Sequence, residues 1–384
     1  MRNRPLLLTV LVALLSLPAV PSTGAASVKW VIEGRGFGHG AGMSQYGAYG
    51  YALHGAGYRE ILRHYYSGTT IGELSKTRVV RVLLAIDGGD SRFSRASSAC
   101  GVHLDPDRSY LAHRNGSSVR LRSSTGRPIA NCGGKLRAAG GGRVRIGALG
   151  PYRGALEVVP TRSRPDSLNV NNAVAVNAYV KGVVPHEVSY LWPQAALRAQ
   201  AVAARSYALA AQVDGNGFDL YADSRSQAYV GLGGEKAQTS QACAATRNEV
   251  VEFKGAIATT FYFSTSGGRT ESAENVFFSD PIPYLRSVRD PYDYYSPLHT
   301  WRLVYSGAEM SSRLAPYLRG KLKRIVVTER GDSPRIVWAR LYGTRGVSKI
   351  RGDNLQFALG AYDRWMHFEK VVRRSARAPA QPSE

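Results

Sequence analysis

Apolar and polar residues alternate over a long part of the chain, from Val79 to about Val170. Several short segments there are rich in branched apolar residues, and clusters of Gly, Pro, Ser and Asn separate them. The segments are RVVRVLLAI, GVHL, SVRLRSS, RVRIGALG and GALEVVP. A period of two residues predicts strands with one buried face. We expect short antiparallel strands that form a sandwich or a barrel-like domain.

The pattern changes in the stretch from Val183 to Ala211, VVPHEVSYLWPQAALRAQAVAARSYALAA. The second half of this stretch is rich in Ala, Leu, Arg and Gln, which favour helix. Proline is tolerated in the first helical turn, because its missing N–H would have no intrahelical partner there. Pro193 is therefore predicted to start a helix, and Glu187 to lie in the short loop before it. The preceding VNAYVKGV is either a short helix or a strand that leads into a loop.

Other patterns lie on both sides of this stretch. The N-terminal part contains a strand-like VKWVIE, the glycine-dense GRGFGHGAGMSQYGAYGYALHG and the helical YREILRHYY. So many glycines indicate backbone that turns tightly or approaches another segment closely. After the central helix we expect a polar loop, a helix over Ala237–Asn248, strands in EVVEFKG and AIATTFYFSTSGG, and a β-rich unit that closes with a helix near Asp353–Tyr362.

The chain is strongly basic. It has 50 Lys and Arg residues against 28 Asp and Glu residues, a formal charge of +22. This charge indicates an anionic neighbourhood, such as nucleic acid, acidic lipid or an anionic cell wall.

The first residues have the pattern of an export signal. Two arginines precede an apolar run from Leu6 to Val20, and small residues follow from Thr23 to Ala26. We expect a signal peptide that is cleaved near Ala25 or Ala26. An uncleaved anchor is the alternative, although the run is short for a membrane span. Export makes nucleic acid an improbable partner, and the lack of a second long apolar run predicts that the mature chain is not an integral membrane protein.

The chain has three cysteines, Cys100, Cys132 and Cys243. In an oxidising compartment Cys100 and Cys132 can pair and close a loop, while the alternative is three unpaired thiols. We favour the pair, and we expect Cys243 to be a buried free thiol.

Glu187 is the first candidate for chemistry. His186 and Glu187 match the first half of the zinc-protease motif HExxH, but residue 190 is Tyr, and no GxSxG elbow of a serine hydrolase is present. The remaining histidines lack acidic or cysteine partners at ligand spacing, so no metal is predicted. Two roles for Glu187 stay open. Beside aromatic residues its pKa would rise and it could donate a proton, or it could cap the helix at Pro193.

Three motifs resemble those of one family. VNAYVKGVVPHEVSYLWPQAALRAQAVAARSYAL resembles the core motif of the stage II sporulation protein D (SpoIID) and LytB (amidase-enhancer) family. GRGFGHGAGMSQYGA is similar to a second hallmark, and FYFSTSGGRTES with PYLRSVRDP is similar to a third. The resemblance covers nearly everything from Gly34 to Phe368. The glycine-rich motif, usually near the family's C-terminus, is here at the N-terminus.

The resemblance implies a lytic transglycosylase of peptidoglycan. Such an enzyme cleaves glycan strands without water and leaves a 1,6-anhydro-muramyl end, and the family's essential glutamate falls on Glu187. Other motif positions imply cleft residues that bind sugar or orient Glu187: His39, Gln45, Gln200, Arg205, Gln227, Tyr229, Ser264 and Ser266. Tyr207 and Ala201 to Ala204 are interpreted as packing residues. Some relatives bind zinc through Cys and His, which the matching segments DSRSQAYVG and FYFSTSGG lack.

We therefore expect an α+β fold, with a helix-containing catalytic core, an inserted or appended antiparallel β domain and a glycine-rich motif permuted to the N-terminus. The predicted parts are a signal peptide (1–26), a glycine-rich segment of the core (27–75), a β-rich domain (76–168), the catalytic core (169–300), a C-terminal β-rich segment (301–370) and a disordered tail (371–384).

The function expected from the resemblance is an exported enzyme at the cell wall or outside the cell. Its predicted partners are peptidoglycan glycan strands and, as a second candidate, a cell-wall amidase. We predict no cofactor, no nucleic acid, and membrane contact only through an uncleaved signal segment. The alternative function is a non-catalytic wall-binding protein that stimulates an amidase.

Overall fold

The computed structural model describes residues 27–162 and 164–373. The predicted signal peptide and residues 374–384 of the predicted tail lie outside the described residues. Residues 371–373, also predicted to belong to the disordered tail, instead end a strand that pairs with the N-terminal strand. Helices and strands are mixed along the chain, which confirms the α+β class. Within the described ranges, no helix is both long and apolar enough to cross a bilayer.

The N-terminal part contributes three strands and two helices. They are β1 (Ser27–Arg35), β2 (Met43–Ser44), α1 (Gln45–Leu53), α2 (Tyr58–Tyr65) and β3 (Thr70–Glu73). The hydroxyl of Ser44 accepts a hydrogen bond from the Gly47 N–H, so Ser44 is the N-cap of α1. The start of α1 is therefore determined locally, at the residue before Gln45.

The next part contains twelve strands. They are β4 (Val79–Gly88), β5 (Asp90–Ser94), β6 (Ser98–Ala99), β7 (Val102–His103), β8 (Ser109–Asn115), β9 (Ser118–Ser123), β10 (Pro128–Asn131), β11 (Leu136–Ala139), β12 (Arg143–Ile146), β13 (Gly150–Arg153), β14 (Ala155–Pro160) and β15 (Ser167–Ala175). Their pairings with one another are antiparallel, as predicted. A disulfide joins Cys100 to Cys132, which confirms the favoured pairing.

The central part contains four helices and four short strands. They are α3 (Val176–Glu187), α4 (Gln194–Ala210), β16 (Leu220–Tyr221), α5 (Ala237–Ala245), β17 (Glu249–Phe253), β18 (Ala256–Ile257), β19 (Tyr262–Phe263) and α6 (Ala273–Phe277). Cys243 lies in α5 as a buried free thiol, as expected.

Two sheets and two helices share one apolar core. One sheet has the strand order β10-β9-β8-β5-β12-β13 and the other the order β16-β4-β15-β14-β11-β6-β7. Phe93 and Leu121 of the first sheet belong to the same buried cluster as Val158 of the second, Val183 of α3 and Leu197 of α4. The strands thus form a sandwich whose core continues into the helices that follow it.

Two sequence interpretations in the central part are wrong. VNAYVKGV belongs to α3, which extends to Glu187, so Glu187 is the last residue of a helix and not part of a loop. Gly182 and Pro185 disfavour helix, but Tyr179, Val183 and other residues at helical spacing are buried, and their packing decides the structure. The predicted strand AIATTFYFSTSGG is also interrupted: only the pairs in β18 and β19 are strands.

The C-terminal part contains five strands and two helices. They are β20 (Thr300–Ser306), α7 (Gly307–Arg313), β21 (Leu322–Arg330), β22 (Ile336–Gly343), β23 (Gly346–Arg351), α8 (Gly352–Leu359) and β24 (Met366–Arg373). β21, β22 and β23 form one sheet, and β1 lies between β20 and β24 in another. The N-terminal strand is thereby held by antiparallel partners from the far end of the chain.

The glycine-rich segment lies against β19. Met43 and Ser44 of β2 pair in parallel with Tyr262 and Phe263. Gly42 has a φ of +81°, and a Cβ there would lie 2.0 Å from the carbonyl oxygen of Phe261. Only glycine allows this approach, which confirms the predicted close contact and places Gln45, the residue after β2, next to β19.

Candidate active site

A cavity of about 350 Å³ opens where the end of α3, the loop after β16, β19 and the glycine-rich segment meet. Its lining residues are His39, Glu187, Tyr207, Ser224, Ser226, Gln227, Ala228, Phe261, Tyr262 and Phe277. Among these described lining residues Glu187 is the one carboxylate.

The carboxyl group of Glu187 is partly buried and held by three neighbours. The Ala228 N–H donates a hydrogen bond to Oε1 at 3.0 Å, and the side chains of Tyr262 and Gln45 lie close enough to the carboxyl group to favour its charged form. Burial raises the pKa of Glu187, and these three neighbours oppose the rise. Its place at the C-terminal end of α3 also disfavours negative charge. Glu187 is thus a carboxyl group that holds its proton more firmly than an exposed one.

A chain of hydrogen bonds orients the donor on Tyr262. The Tyr179 hydroxyl donates to Oε1 of Gln227 at 3.0 Å, and Nε2 of Gln227 donates to the Tyr262 hydroxyl at 2.8 Å. Since the Tyr262 oxygen accepts from Gln227, its single proton is free to point at Glu187. The chain therefore directs an O–H donor at the carboxylate, and Gln227, one of the predicted cleft residues, acts through Tyr262.

Glu187 does not cap the central helix. α4 begins at Gln194, and no side chain caps its start at Pro193. The Glu187 carboxylate bonds instead to the backbone of Ala228 in a different segment. The capping alternative is wrong, and the role in proton transfer remains.

His39 lines the cavity, but both of its ring nitrogens bond to backbone. The Ala41 N–H donates to Nδ1 at 3.1 Å, so the ring proton is on Nε2, which donates to the Tyr262 carbonyl at 3.0 Å. Burial lowers the pKa of His39 to about 4, against the effect of the Tyr262 carbonyl, so the ring is neutral at pH 7. The structure therefore makes His39 a positioning residue for β19, with no ring nitrogen left for a sugar.

Ser264 and Ser266, two further predicted cleft residues, bond to neighbours in their own loop. Ser266 is fully buried, and its hydroxyl accepts a hydrogen bond from the Gly268 N–H at 3.0 Å. The Ser264 hydroxyl pairs with that of Thr265 at 3.1 Å. Neither serine lines the cavity, whereas the Gln45 side chain lies near enough to the Glu187 carboxyl group to lower its pKa.

Three further predicted cleft residues are buried in the interior. The Arg205 guanidinium donates to Asn177 Oδ1 at 2.9 Å and to the Glu249 carbonyl at 2.9 Å. Tyr229 donates to Asn172 Oδ1 at 2.7 Å. Gln200 is also buried. None of the three lines the cavity. Arg205 and Tyr229 use their polar atoms to satisfy buried neighbours, while the side-chain amide of Gln200 has no hydrogen-bond partner among the described residues.

Sequence reasoning missed several lining residues. Tyr207 was interpreted as packing, but it lines the cavity, and burial and the nearby Glu187 charge raise its pKa. Tyr262, Phe261 and Phe277 were not singled out. The run FYF was a usable signal for the first two, because three successive aromatic residues before a polar loop are unusual in an exposed strand end.

A row of aromatic side chains, here called the aromatic ridge, extends from the site along α1. The Trp192 ring centre is 5.1 Å from that of Tyr46 and 4.9 Å from that of Tyr49. Tyr49 is 5.6 Å from Tyr295, which stacks on Tyr294 at 4.5 Å. Tyr294 is 51% exposed and Tyr295 is 40% exposed. Aromatic faces of this kind suit the apolar faces of sugar rings.

Comparisons with known proteins find similarity in the part of the chain that contains Glu187. Residues 164–253 match a family model described as "Stage II sporulation protein". The chain is 29% identical to stage II sporulation protein D of Bacillus amyloliquefaciens over 215 residues, which are 51% of this chain and 60% of that protein. It is 32% identical to the amidase enhancer of Bacillus subtilis over 134 residues, 35% of this chain and 18% of that protein. Residues 164–253, the part of the chain that matches this family model, are here called the SpoIID segment.

The SpoIID segment contains α3, α4 and the loop of Gln227 and Ala228, whereas Gln45 and Tyr262 lie outside it. The chain is also 37% identical over 169 residues to an uncharacterized protein of Brachyspira hyodysenteriae, which is 43% of this chain and 45% of that protein. It spans less than two thirds of each of these relatives. In the described part of the chain, no group of three or more His, Cys, Asp or Glu side chains is placed to hold a metal ion.

Proposed function

We propose that this protein is an exported lytic transglycosylase of peptidoglycan. It would cleave the bond from N-acetylmuramic acid to N-acetylglucosamine and leave a 1,6-anhydro end. The observation that carries the proposal is Glu187, a partly buried carboxyl group with a raised pKa in a cavity that it shares with no other described acid. A raised pKa is what a general acid needs near neutral pH.

The reaction needs one group that first gives and then takes a proton. Protonated Glu187 donates its proton to the glycosidic oxygen as the bond between that oxygen and the anomeric carbon breaks. The C6 hydroxyl oxygen of the same muramoyl sugar then bonds to the anomeric carbon, and its proton returns to the Glu187 carboxylate. No water enters, and Glu187 ends as it began.

The neighbours of Glu187 suit both halves of this cycle. The Ala228 N–H and the Tyr262 hydroxyl stabilise the carboxylate that forms when the proton leaves. The Gln45 amide carries both a donor and an acceptor, so it can bond to the carboxylate or to the protonated acid. The site can therefore hold either protonation state without moving its backbone.

The single acid argues for this chemistry over hydrolysis. Glycoside hydrolases usually use two carboxyl groups that flank the bond, about 5 to 9.5 Å apart. Glu187 is the one acid among the described residues that line the cavity. An internal hydroxyl nucleophile removes the need for a second carboxylate.

The basic charge of +22 and the aromatic ridge support the substrate class. The charge would keep an exported protein close to an anionic wall. The ridge begins beside Gln45 and Trp192, so a glycan strand that enters the cavity could stack on it.

Digestion of intact and peptide-stripped glycan, followed by mass analysis of the released ends, tests the proposal. The wild-type protein should release anhydro-muramyl ends from at least one of the two glycans. Glu187→Gln should lower that rate about 100-fold or more, since general acid catalysis typically contributes this much.

A matched variant controls for charge. Glu329 is an exposed acid on β21, so Glu329→Gln should leave the rate unchanged. Failure of the wild-type protein to form anhydro ends from either glycan, with glycan binding intact, would contradict the proposal.

That same outcome would support the second candidate, a non-catalytic wall-binding protein that stimulates an amidase. The aromatic ridge favours it as well, because exposed rings can bind glycan without cleaving it. Stimulation of a purified cell-wall amidase by Glu187→Gln as strongly as by the wild-type protein would identify this role.

A further inference from the structure

A second cavity, of about 660 Å³, lies on the outward face of the sheet formed by β20, β1 and β24. It is outside the SpoIID segment at residues 164–253. Six side chains on this face define what we call the sheet groove: Glu33, Arg35, Thr300, Arg302, Trp365 and His367.

Strand register places these six side chains together. Glu33 pairs with Arg302 on one side and with His367 on the other. Two residues further along β1, Arg35 pairs with Thr300. The backbone N–H of Arg35 donates to the Trp365 carbonyl. The positions between them, such as Ile32, face the apolar core. Because side chains alternate between the two faces of a sheet, the six share the outer face.

The two arginines have spare hydrogen-bonding capacity. Among the described residues, the Arg35 guanidinium has no hydrogen-bond or ion-pair partner beyond its position 5.9 Å from the Trp365 ring centre. Arg302 approaches Glu33 only to 3.7 Å, with side chains 60% and 70% exposed. An exposed pair at that distance is weak. Two guanidinium groups are therefore available to an anion.

The remaining groups suit a ring that bears that anion. Trp365 is partly exposed and offers an aromatic face. His367 has a pKa lowered by burial and by nearby Arg330, so at neutral pH it is an uncharged donor or acceptor. Thr300 adds a hydroxyl. An aromatic platform, two guanidinium groups and neutral polar side chains match a sugar ring that carries a carboxylate.

We propose that the sheet groove is a second glycan-binding site, which takes a sugar with a carboxylate. The choice of N-acetylmuramic acid, whose lactyl ether carries that carboxylate, rests on the proposed function. The groove would hold a strand at a point separate from Glu187.

Two disaccharides that differ only in the lactyl group test the groove. Titration calorimetry of the full chain would compare N-acetylglucosaminyl-N-acetylmuramic acid with di-N-acetylchitobiose. The acidic sugar should bind about tenfold more tightly, the contribution of one good hydrogen-bonded charge pair. This preference should vanish in Arg35→Ala and Arg302→Ala, and Glu187→Gln should keep it.

Lys29→Ala is the matched control. Lys29 lies on the same face of β1, four residues before Glu33, and does not line the groove. Its replacement by Ala removes one positive charge, as each arginine variant does. It should retain the full preference. Equal affinity for the two sugars in the wild-type protein, or an equal loss of preference in Lys29→Ala, would overturn the groove proposal.

The two proposals fail separately. A preference that depends on Arg35 and Arg302, in a protein that releases no anhydro ends, would sink the enzymatic proposal and keep the groove. Anhydro ends released by a protein without the preference would do the reverse.

Discussion

Burial and three neighbouring groups set the protonation of Glu187, and one of these groups is the hydroxyl of Tyr262. Burial favours the protonated acid, while the Ala228 N–H, Tyr262 and Gln45 favour the carboxylate. Of these donors the Tyr262 hydroxyl can be removed without changing the backbone. Gln227 also sets the direction of this hydroxyl proton, because Nε2 of Gln227 donates to the Tyr262 oxygen at 2.8 Å.

We predict that Tyr262→Phe raises the pKa of Glu187. A hydrogen bond to a charged group contributes about 1.5–3 kcal/mol, which corresponds to about one pKa unit or more. A general acid must be protonated at the start, so the fall in activity at high pH should move to higher pH by about one unit. The measurement is the pH dependence of anhydro-end release.

Tyr207→Phe is the control for that experiment. Tyr207 lines the same cavity, and the Glu187 charge raises the pKa of Tyr207. Tyr207 is not among the groups that shift the pKa of Glu187. The pH dependence of anhydro-end release by Tyr207→Phe should fall at the same pH as in the wild-type protein. A Tyr262→Phe profile that overlays the wild-type profile would show that the hydroxyl does not stabilise the carboxylate.

Motif positions predicted the role of a residue correctly for some cleft residues. They failed for residues whose side chains turn out to be buried in the interior. Glu187 and Gln45 follow from motif positions and do meet in the structure. Arg205 and Tyr229 occupy motif positions too, yet their polar atoms bond to Asn177 and Asn172 in the interior. A sequence pattern does not distinguish a polar group that faces a cleft from one that satisfies buried neighbours.

At the scale of elements, α1 presents Gln45 to the site, and a close contact holds it there. A Cβ on Gly47 would lie 2.0 Å from the Tyr65 hydroxyl and 2.3 Å from Oδ2 of Asp290. The Tyr65 hydroxyl donates to Oδ1 of Asp290 at 2.9 Å. The first turn of α1 therefore rests directly on this buried pair.

Gly47→Ala is predicted to destabilise the protein, although alanine is the better helix former. Forcing a methyl group into packed space costs about 1–3 kcal/mol, and here it also separates Tyr65 from Asp290. The free energy of unfolding, measured by urea titration, should fall by that amount, and Gln45 should move away from Glu187, so activity should fall as well.

Gly88→Ala is the comparison. Gly88 ends β4, and no atom lies within 4 Å of the Cβ position there. The free energy of unfolding of Gly88→Ala should stay within about 0.5 kcal/mol of the wild-type value. A Gly47→Ala protein as stable as Gly88→Ala would show that α1 can shift without cost.

Element prediction succeeded where local patterns were strong. The strands of the sandwich, α4 and α8 lie where alternation or composition placed them. The sequence does not decide between helix and strand for α3, because Gly182 and Pro185 disfavour helix. Packing against α4 and the sandwich core stabilises the helix.

At the scale of the whole molecule, two buried groups give opposite dependences of stability on pH. Burial lowers the pKa of His39 to about 4 from 6.5. Burial, with help from Asp293, raises the pKa of Asp290 to about 7 from 3.8. Between pH 4 and 6.5 the unfolded chain protonates His39 more than the folded one, so this residue makes stability rise with pH. Asp290 is protonated in the folded state and ionised in the unfolded state, so it makes stability fall with pH.

We predict that single variants separate the two effects. Relative to wild type, the free energy of unfolding of His39→Gln should decline as pH rises from 4 to 6.5, and that of Asp290→Asn should increase. Each difference is up to about 3 kcal/mol over the window, from 1.36 kcal/mol per pKa unit. Urea unfolding at several pH values measures both.

Titrating groups that do not interact with His39 or Asp290 contribute equally to all three proteins, so the difference between curves isolates each residue together with its charged neighbours. Curves for the two variants that run parallel to the wild-type curve would contradict the assignment of both pKa shifts.

The sequence by itself determined the local features of this protein: the alternating strands, the central helix, and Glu187 within a recognisable motif. Each depends on neighbours within a few residues or on a pattern of residue types. The tertiary structure decided what surrounds Glu187. Gln45, Ala228 and Tyr262 come from segments far apart in the chain, and His39, bonded at the Tyr262 carbonyl, is 223 residues away. Which polar groups meet, and which are buried, depends on packing between those segments, and packing sets the pKa on which the proposed reaction rests.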